Sequence, residues 1–361
     1  MPDLTLFSPT TLGPVALRNR VVMAPMTRSR AIEASTPNDL MAEYYGQRAG
    51  AGLIVTEGTS PAPDGTGYAR IPGIWSALQV EGWKKVTQAV HSKGGRIFVQ
   101  LMHTGRVGHP LNLPPGAEVV APSAVALEGE IYTDAQGLQP YPVPRAMSDA
   151  DVRRAIGEYV QASRNAIVAG FDGVELHGAN GYLIEQFLSP HTNLRADAWG
   201  GSVEKRLGFG VEVAKAVATA IGGARVGIRL SPYGANGGMK PYPEIEETYH
   251  ALVPRLASTG IQYVHVVDHS AMGAPKVPET LKRAMRLAWP RTFILAGGFD
   301  GATAEAALDA GWCDLVAFGR SFLANPDLVV RLERGSALNA PDFATFYTPG
   351  PKGYTDYPAM V

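Results

Sequence analysis

A short segment near the middle of the chain, residues 174–182, carries the side chains that are best suited to chemistry. It reads VELHGANGY, so that His177, Asn180 and Tyr182 follow directly on an apolar run. His177 and Asn180 can each donate a hydrogen bond to a carbonyl oxygen, and the phenol of Tyr182 can give up a proton. On a regular helix Tyr182 would lie about 140° from His177, but the neighbouring glycines free the backbone from that geometry. The segment is therefore suited to polarising a carbonyl group and protonating the same substrate.

The same segment is compatible with a purely structural role. His177 could be a buried core histidine in a loop between a strand and a helix, and Asn180 could cap the helix. The residues that follow the other predicted strands help to choose between these two interpretations.

The composition is that of a globular protein with a large core. The 361 residues are 45% hydrophobic and 18% charged, and 32 basic residues balance 33 acidic ones to give a net charge of −1. Such a balance argues against nucleic acid or an anionic membrane as the main partner. No apolar run approaches about 18 residues, and the start of the chain lacks the layout of a signal peptide. We therefore expect a cytoplasmic protein without a metal site, in which the single Cys313 is a buried thiol.

The chain repeats a pattern of amphipathic helix, glycine and short β-rich run. In one unit Ser148 and Asp151 have the spacing of a capping box, and apolar residues then recur at helical spacing up to Gly170. A strand is predicted to follow over residues 172–176. The pattern as a whole predicts strands at 21–24, 53–56, 97–100, 172–176, 226–230, 263–267, 293–296 and 315–318.

Eight strands that alternate with helices predict a (β/α)8 TIM barrel. The alternative is an open, doubly wound sheet, but no GxGxxG motif follows any early strand. Residues 4–19 are predicted to form a β-hairpin, with its turn at Gly13 and Pro14, that closes the bottom of the barrel. Residues 105–147 are too long for an ordinary loop and are predicted to form a capping insertion after the third strand. We find no linker, so residues 1–361 are interpreted as one domain.

In a barrel of this kind, functional side chains lie where the strands end. Glycines follow the seventh strand (Gly297 and Gly298) and the eighth (Gly319), where backbone N–H groups could approach a phosphate that Arg320 would neutralise. The third strand ends at Gln100, which offers a donor and an acceptor, and the fifth ends at Arg229, which suits a developing anion. The alternative for Arg229 is an ion pair with a buried carboxylate, and glycines are also common in ordinary turns.

A phosphate, a heterocycle that becomes anionic and a polarised carbonyl group together suggest FMN with an enone above it. Over essentially its whole length the chain resembles the old yellow enzyme family of flavin-dependent ene-reductases. The motifs that carry the resemblance are NRVVMAPMTR (residues 19–28), YYGQRA (44–49), QLMHTGR (100–106), ELHGANGYL (175–183), QFLSPHTNLRADAWGGSVEKR (186–206), AFGR (317–320) and GYTDYP (353–358).

The resemblance implies a bound FMN and a hydride from NADPH or NADH. The flavin would pass the hydride from N5 to the β-carbon of an activated alkene, such as an α,β-unsaturated carbonyl or a nitro compound. His177 and Asn180 would bind the carbonyl oxygen, and Tyr182 would protonate the α-carbon. The residues that would hold FMN are Pro25, Met26, Thr27, Gly58, Gln100, Arg229, Gly297, Gly298, Gly319 and Arg320, and those that would line the substrate pocket are Tyr68, Met102 and Tyr347.

Two positions depart from common family members. Asn180 stands where many bacterial relatives have a second histidine, and Met102 stands where a tryptophan is common, which predicts a wider pocket here. A phosphosugar-binding barrel lyase and a non-catalytic flavin redox sensor are the alternative functions. The expected partners are small molecules, and the protein is expected to be a monomer or a homodimer.

Overall fold

The fold is built from short strands and longer helices that alternate along most of the chain, as seen in a computed structural model that describes residues 5–360. In chain order the strands are β1 (Thr10–Leu12), β2 (Val15–Leu17), β3 (Val21–Met23), β4 (Leu53–Thr59), β5 (Ile97–Leu101), β6 (Val120–Ala121), β7 (Glu130–Thr133), β8 (Gly137–Pro140), β9 (Arg145–Ala146), β10 (Gly173–Gly178), β11 (Val226–Leu230), β12 (Tyr263–Val267), β13 (Thr292–Ala296) and β14 (Leu315–Phe318). The α-helices are α1 (Asp39–Gln47), α2 (Ala77–His91), α3 (Asp149–Val168), α4 (Leu183–Leu188), α5 (Val203–Ile221), α6 (Ile245–Ser258), α7 (Glu279–Ala288), α8 (Gly301–Asp309), α9 (Arg320–Ala324) and α10 (Leu328–Glu333).

Eight of these strands close into one parallel barrel, in the order β3, β4, β5, β10, β11, β12, β13 and β14, with β14 pairing back onto β3. Side chains on both faces of the strands are buried: Leu53 and Val55 belong to the cluster inside the barrel, whereas Ile54 packs in the layer beneath the helices. This two-sided burial explains why the strands read as apolar runs and not as alternating patterns. The predicted (β/α)8 barrel is confirmed.

Three barrel strands continue beyond their predicted ends. β4 runs to Thr59, β5 to Leu101 and β10 to Gly178. As a result Gly58 and His177 lie within strands, as Gln100 was already predicted to do, and all three are held by the barrel itself. The predicted capping box of α3 is confirmed, because Ser148 accepts a hydrogen bond from the backbone N–H of Asp151 and the Asp151 side chain bonds back.

The hairpin near the start of the chain is shorter than predicted. The turn at Gly13, whose φ is 56°, pairs β1 with β2 through residues 10–12 and 15–17 only. Leu12 and Leu17 pack with the side chains inside the barrel, so the hairpin closes the barrel at the amino-terminal ends of its strands. Leu6 was predicted to be part of the hairpin, but its backbone N–H bonds to Glu305 and its side chain packs in the outer layer. In the register of β1 and β2 its partner would be Val21, which belongs to barrel strand β3. Leu4 lies outside the described residues.

The insertion after β5 contains β6 to β9 and contacts loops that follow other barrel strands. Asn112 donates to the carbonyl oxygen of Gly67 at 3.1 Å, Arg106 donates to that of Gly237 at 3.0 Å, and Arg70 forms an ion pair with Asp134. These contacts place the insertion at the carboxyl ends of the strands.

The C-terminal segment is held against the barrel by buried arginines. Arg28 donates to the carbonyl oxygens of Phe346 and Gly353, at 3.2 and 2.7 Å, and Arg48 donates to that of Tyr354 at 3.4 Å. The ring of Tyr354 stacks on that of Tyr44 with centroids 4.0 Å apart. The role of the GYTDYP motif, which sequence reasoning alone did not explain, is therefore to anchor the tail. None of the helices within residues 5–360 is long and apolar enough to cross a membrane.

We expect the hairpin to contribute strongly to stability, because Leu17 is only 2% exposed inside the barrel. Leu17→Ala should lower the free energy of unfolding by about 2–4 kcal/mol, through lost burial and a residual cavity. Chemical denaturation measures this difference. The control, Leu138→Ala, truncates a side chain that is 60% exposed and should change stability by less than about 0.5 kcal/mol. Equal effects of the two substitutions would contradict a plugging role for the hairpin.

Candidate active site

The predicted catalytic histidine, His177, is the second-to-last residue of barrel strand β10. In the sheet His177 is in register with Arg229 on β11, and Arg229 is in register with His265 on β12. The three side chains are buried, with exposed fractions of 3%, 6% and 0%. Three neighbouring strands therefore place two imidazoles and one guanidinium side by side in the same layer of the barrel.

After β10 the chain makes a tight turn over residues 179–182, in which the backbone N–H of Tyr182 bonds to the carbonyl oxygen of Ala179 at 3.3 Å. Asn180 and Gly181 both adopt the left-handed conformation, with φ of 60° and 77°. Of Gly178 and Gly181, only Gly181 uses the backbone freedom that was predicted for both. Gly178 stays in the strand, and it must be glycine because a Cβ atom there would lie 2.9 Å from the carbonyl oxygen of Arg229.

The 179–182 turn is held by hydrogen bonds to its backbone. The N–H of Asn180 donates to the Ser231 hydroxyl at 2.9 Å, and the N–H of Gly181 donates to the carboxyl group of Glu185 at 2.6 Å. The carbonyl oxygen of Gly181 accepts from Gln186 at 2.7 Å. These bonds leave the side chain of Asn180 free for other partners.

Tyr182 lies close to both the histidine and a second phenol. Its ring meets the ring of His177 edge to face at 4.8 Å, and its hydroxyl lies 3.1 Å from that of Tyr68. Burial raises the pKa of Tyr182 to about 12, so the phenol keeps its proton at neutral pH. The predicted association of His177 and Tyr182, with Tyr68 beside them, is present in the structure.

The two predicted carbonyl-binding side chains have unused hydrogen-bonding capacity. Nδ1 of His177 and Oδ1 of Asn180 are buried without a partner among the described residues. Burial, together with the positive charge of Arg229, holds the pKa of His177 well below its usual value, so the ring is neutral. A neutral imidazole and a primary amide are donors that can bind a carbonyl oxygen without carrying a charge themselves.

A buried carboxylate organises the centre of the barrel. Glu175 accepts hydrogen bonds from Gln100 at 2.8 Å, from the Tyr263 hydroxyl at 3.1 Å and from His265 at 2.9 Å. Burial alone would raise the pKa of Glu175, but the charge and hydrogen bond of His265 and the charge of Arg229 hold it below its usual value. The carboxylate is therefore ionised, and its lone pairs are already engaged.

Arg229 is left without a side-chain partner. Its guanidinium makes no ion pair or hydrogen bond with the side chains that the structure describes, and its buried Nε atom has no acceptor. The alternative in which Arg229 serves only to pair with a barrel carboxylate is therefore not supported. An unpaired buried cation is costly unless it meets a negative charge, which is the requirement of an anionic heterocycle.

The predicted phosphate-binding residues lie together at adjacent strand ends. β13 ends just before Gly297 and Gly298, which have φ of 126° and 71°, and β14 ends just before Gly319. A Cβ atom on Gly297 would come within 2.2 Å of the carbonyl oxygen of Asp268, so no larger residue fits. Arg320 is exposed at the start of α9 and pairs with no carboxylate among residues 5–360.

The remaining predicted site residues fall into two groups. Pro25, Met26 and Thr27 lie in the loop that follows β3, one residue after the strand ends, and Pro25 is buried. Met102 is 1% exposed and packs its thioether against Gly58, where a Cβ atom would lie 2.3 Å from the sulfur.

Tyr347 differs from the others, because its side chain is 61% exposed on the C-terminal segment. Its backbone carbonyl oxygen accepts from Arg70 at 2.9 Å, which ties the segment to the loop that carries Tyr68.

Taken together these residues fit FMN. Buried polar atoms are normally hydrogen-bonded, yet five buried atoms without a partner among the described residues lie at this end of the barrel: His177 Nδ1, Asn180 Oδ1, Arg229 Nε, His265 Nε2 and His269 Nδ1. The glycines after β13 and β14 and the free charge of Arg320 suit a phosphate. No group of three or more metal-binding side chains occurs within the described range.

Sequence reasoning missed two residues that shape the site, Glu185 and Ser231. A sequence signal for Glu185 was available, since it lies in the largely apolar run LIEQFL (residues 183–188) and a carboxylate buried in such a run requires internal donors. Ser231 follows β11 directly and gives no distinctive signal.

Comparisons with known proteins agree with this geometry. Residues 5–339 match the family model described as the NADH:flavin oxidoreductase / NADH oxidase family. The chain is 43% identical to a chanoclavine-I aldehyde reductase of Penicillium roqueforti (strain FM164), over 98% of this chain and 95% of the relative. It is 41% identical to a probable flavin mononucleotide-dependent alkene reductase of Leishmania infantum, over 98% and 97% of the two chains.

A solved structure of morphinone reductase in complex with tetrahydroNAD superposes with a TM-score of 0.93, at 44% identity, covering 99% of this chain and 98% of the other. None of these descriptions supports a barrel lyase or a non-catalytic sensor. The chain belongs to the NADH:flavin oxidoreductase / NADH oxidase family and is an FMN-dependent ene-reductase of the old yellow enzyme type.

Proposed function

We propose that this enzyme reduces activated alkenes with His177 and Asn180 as the carbonyl-binding pair and Tyr182 as the proton donor. The observation that carries the proposal is the contact between the His177 and Tyr182 rings at the mouth of the barrel, with Asn180 in the same turn. The side chains of His177 and Asn180 donate no hydrogen bond within residues 5–360, so their N–H groups are available to a substrate oxygen. The likeness to an alkene reductase and to a nicotinamide-bound morphinone reductase supports the same reaction class.

The cofactor would be held from several strands at once. Arg229 would meet the negative charge of the reduced ring, Gln100 would bond its edge, and the residues of the β3 end and Gly58 would line it. Gly297, Gly298, Gly319 and Arg320 would bind the phosphate. When bound, FMN accepts a hydride from a nicotinamide and supplies it to the alkene.

The protein side chains carry out the polar part of the reaction. His177 and Asn180 donate hydrogen bonds to the substrate oxygen, and these bonds strengthen as negative charge develops there. Tyr182 then gives its proton to the α-carbon. Its raised pKa makes it a weak acid in the ground state, so proton transfer is favourable only once the α-carbon has become basic.

The finer assignments follow from the same proposal. The hydride donor is NADPH or NADH, and the enzyme acts in the cytoplasm as a monomer or a homodimer. Residues 1–361 form one domain, and the insertion at 105–147 together with Tyr68, Met102 and Tyr347 shapes the substrate pocket. Competing the two nicotinamides in an anaerobic reduction assay tests the first point, and size-exclusion chromatography with light scattering tests the oligomeric state.

We expect the purified protein to release FMN, and not FAD, on denaturation. The phosphate-binding glycines are followed by no GxGxxG loop that could hold a pyrophosphate. Chromatography of the released cofactor identifies it. Arg320→Ala should weaken FMN affinity about 10- to 100-fold, as expected for a lost charge-assisted hydrogen bond, whereas Arg334→Ala at another exposed arginine should not. Recovery of FAD, or of no flavin after reconstitution, would contradict the assignment.

Removing either member of the carbonyl-binding pair should slow alkene reduction. His177→Ala and Asn180→Ala are each expected to lower turnover by about 10²–10³, by analogy with lost oxyanion donors. Phenols should bind more weakly to both variants and lose their long-wavelength charge-transfer band. The control, His250→Ala, alters an exposed histidine on α6 and should behave as the wild type. Unchanged phenol binding in His177→Ala would show that this residue has another role.

The last prediction of this section separates hydride transfer from proton transfer. Tyr182→Phe should leave flavin reduction by the nicotinamide unchanged but slow reoxidation by cyclohexenone about 10²–10⁴-fold, because the general acid is lost. Nitroalkenes should be less affected, since a nitronate is stable enough to be protonated by water after release. Stopped-flow measurement of the two half-reactions tests both points.

The wild-type oxidative rate should also stay level from about pH 8 to about pH 10, where an ordinary tyrosine would lose its proton. The raised pKa of Tyr182 moves that loss to about pH 12. Equal slowing of both half-reactions, or an inflection near an ordinary tyrosine pKa, would argue that Tyr182 is not the acid.

A further inference from the structure

The carboxyl group of Glu185 lies beneath the 179–182 turn and is 4% exposed. It accepts three hydrogen bonds: from the backbone N–H of Gly181 at 2.6 Å, from the Ser231 hydroxyl at 2.9 Å and from the Tyr249 hydroxyl at 3.1 Å. No Lys, Arg or His side chain within residues 5–360 pairs with it. The group is therefore satisfied by neutral donors alone.

Two of these three bonds lead directly to the turn. The first holds Gly181, and the second orients the Ser231 hydroxyl so that its oxygen accepts from the N–H of Asn180 at 2.9 Å. Asn180 and Gly181 are consecutive residues that both adopt the left-handed conformation. A non-glycine residue persists in that conformation only where its surroundings hold it there.

We propose that the carboxylate of Glu185 is a positioning group that fixes the 179–182 turn. It acts on Asn180 and Tyr182 through the turn's backbone and touches neither substrate nor cofactor. This inference rests on the proposed function, because the value of the turn lies in aiming the amide and the phenol at one substrate.

The location of Glu185 shows that the carboxylate is retained at a cost. Burial raises its pKa to about 7, although its three hydrogen bonds act in the opposite direction. A small cavity beside the carboxyl group is lined by Glu185, Tyr233, Lys240, Tyr242 and Tyr249, among others. These are the titratable groups that face the carboxylate, and Lys240 is exposed to solvent. A carboxylate that served stability alone would be better replaced by a neutral side chain.

The effect of this pKa on stability has a definite sign. Because the pKa of Glu185 is higher in the folded protein than in the unfolded chain, the stability that it provides is present at low pH and is lost as pH rises through about 4.5 to about 7. At pH 8 Glu185→Gln, which cannot ionise, should therefore melt at the same temperature as the wild type or higher. A role in stabilising the fold would instead predict a lower melting temperature for Glu185→Gln at pH 8.

The variants that test the proposal change the acceptor groups available to the backbone of the 179–182 turn. Glu185→Gln keeps an acceptor oxygen for the N–H of Gly181, Glu185→Met keeps the length but has no such acceptor, and Ser231→Ala removes the second link. Ser163→Ala is the matched control, since this serine is fully buried in α3 and bonds to the carbonyl oxygen of Tyr159. Each holoprotein is assayed for FMN content, melting temperature at pH 8, affinity for para-chlorophenol and the rate of oxidation by cyclohexenone.

We expect Glu185→Met and Ser231→Ala to lose about tenfold or more in phenol affinity and in the oxidative rate, the size of effect expected for a lost buried hydrogen bond. Glu185→Gln should stay within about threefold of wild type. FMN content should be unchanged throughout, and Ser163→Ala should match the wild type.

The proposal is overturned if both Glu185→Met and Ser231→Ala bind phenol and react as the wild type does. It is equally overturned if the Glu185 variants only lower the melting temperature while the folded holoproteins keep full affinity and rate. Failure of the wild type itself to reduce cyclohexenone would instead count against the proposed function, and the phenol affinities would still test the positioning role.

Discussion

Eight parallel strands that close into a barrel leave one end at which polar side chains can gather, and there the charges must be balanced without bulk water. Glu175 is the residue on which this balance depends. It is fully buried and takes hydrogen bonds from Gln100, Tyr263 and His265. Because its lone pairs are engaged by those groups, Arg229 keeps its charge available for a cofactor. The mouth of the barrel is therefore prepared for an anion before any ligand arrives.

A second buried carboxylate, Glu185, lies beneath the substrate-binding turn and meets only neutral donors. The two acids differ in their surroundings, and their pKa values shift in opposite directions for that reason. Interaction with His265 and with the charge of Arg229 lowers the pKa of Glu175, whereas burial raises that of Glu185 to about 7. The first balances charge at the barrel centre, and the second holds backbone in a conformation that the chain would otherwise leave. A site with this layout combines electrostatic preparation with geometric precision.

The ends of the chain are also fastened around the barrel. The hairpin closes the amino-terminal end of the barrel with Leu12 and Leu17. Arg28 and Arg48 bind backbone carbonyl oxygens of Gly353 and Tyr354 and hold the C-terminal segment near the mouth. Guanidinium groups suit this task because several fixed donors can satisfy several carbonyls at once. The tail brings Tyr347 next to the loop of Tyr68, so residues that are distant in sequence border the same opening.

By itself the sequence determined the repeat of strands and helices, since local periodicity, capping residues and glycines act over a few neighbours. It also determined the family and the candidates His177, Asn180 and Tyr182, because their motifs are contiguous. Tertiary structure alone decided how far β4 and β10 extend, because strand ends depend on pairing partners that lie far along the chain. It likewise decided that Asn180 adopts the left-handed conformation together with Gly181, whereas Gly178 remains in the strand. Two of the three partners of Glu185 are 46 and 64 residues away in sequence, and no local pattern can show which distant donors will meet a buried acid.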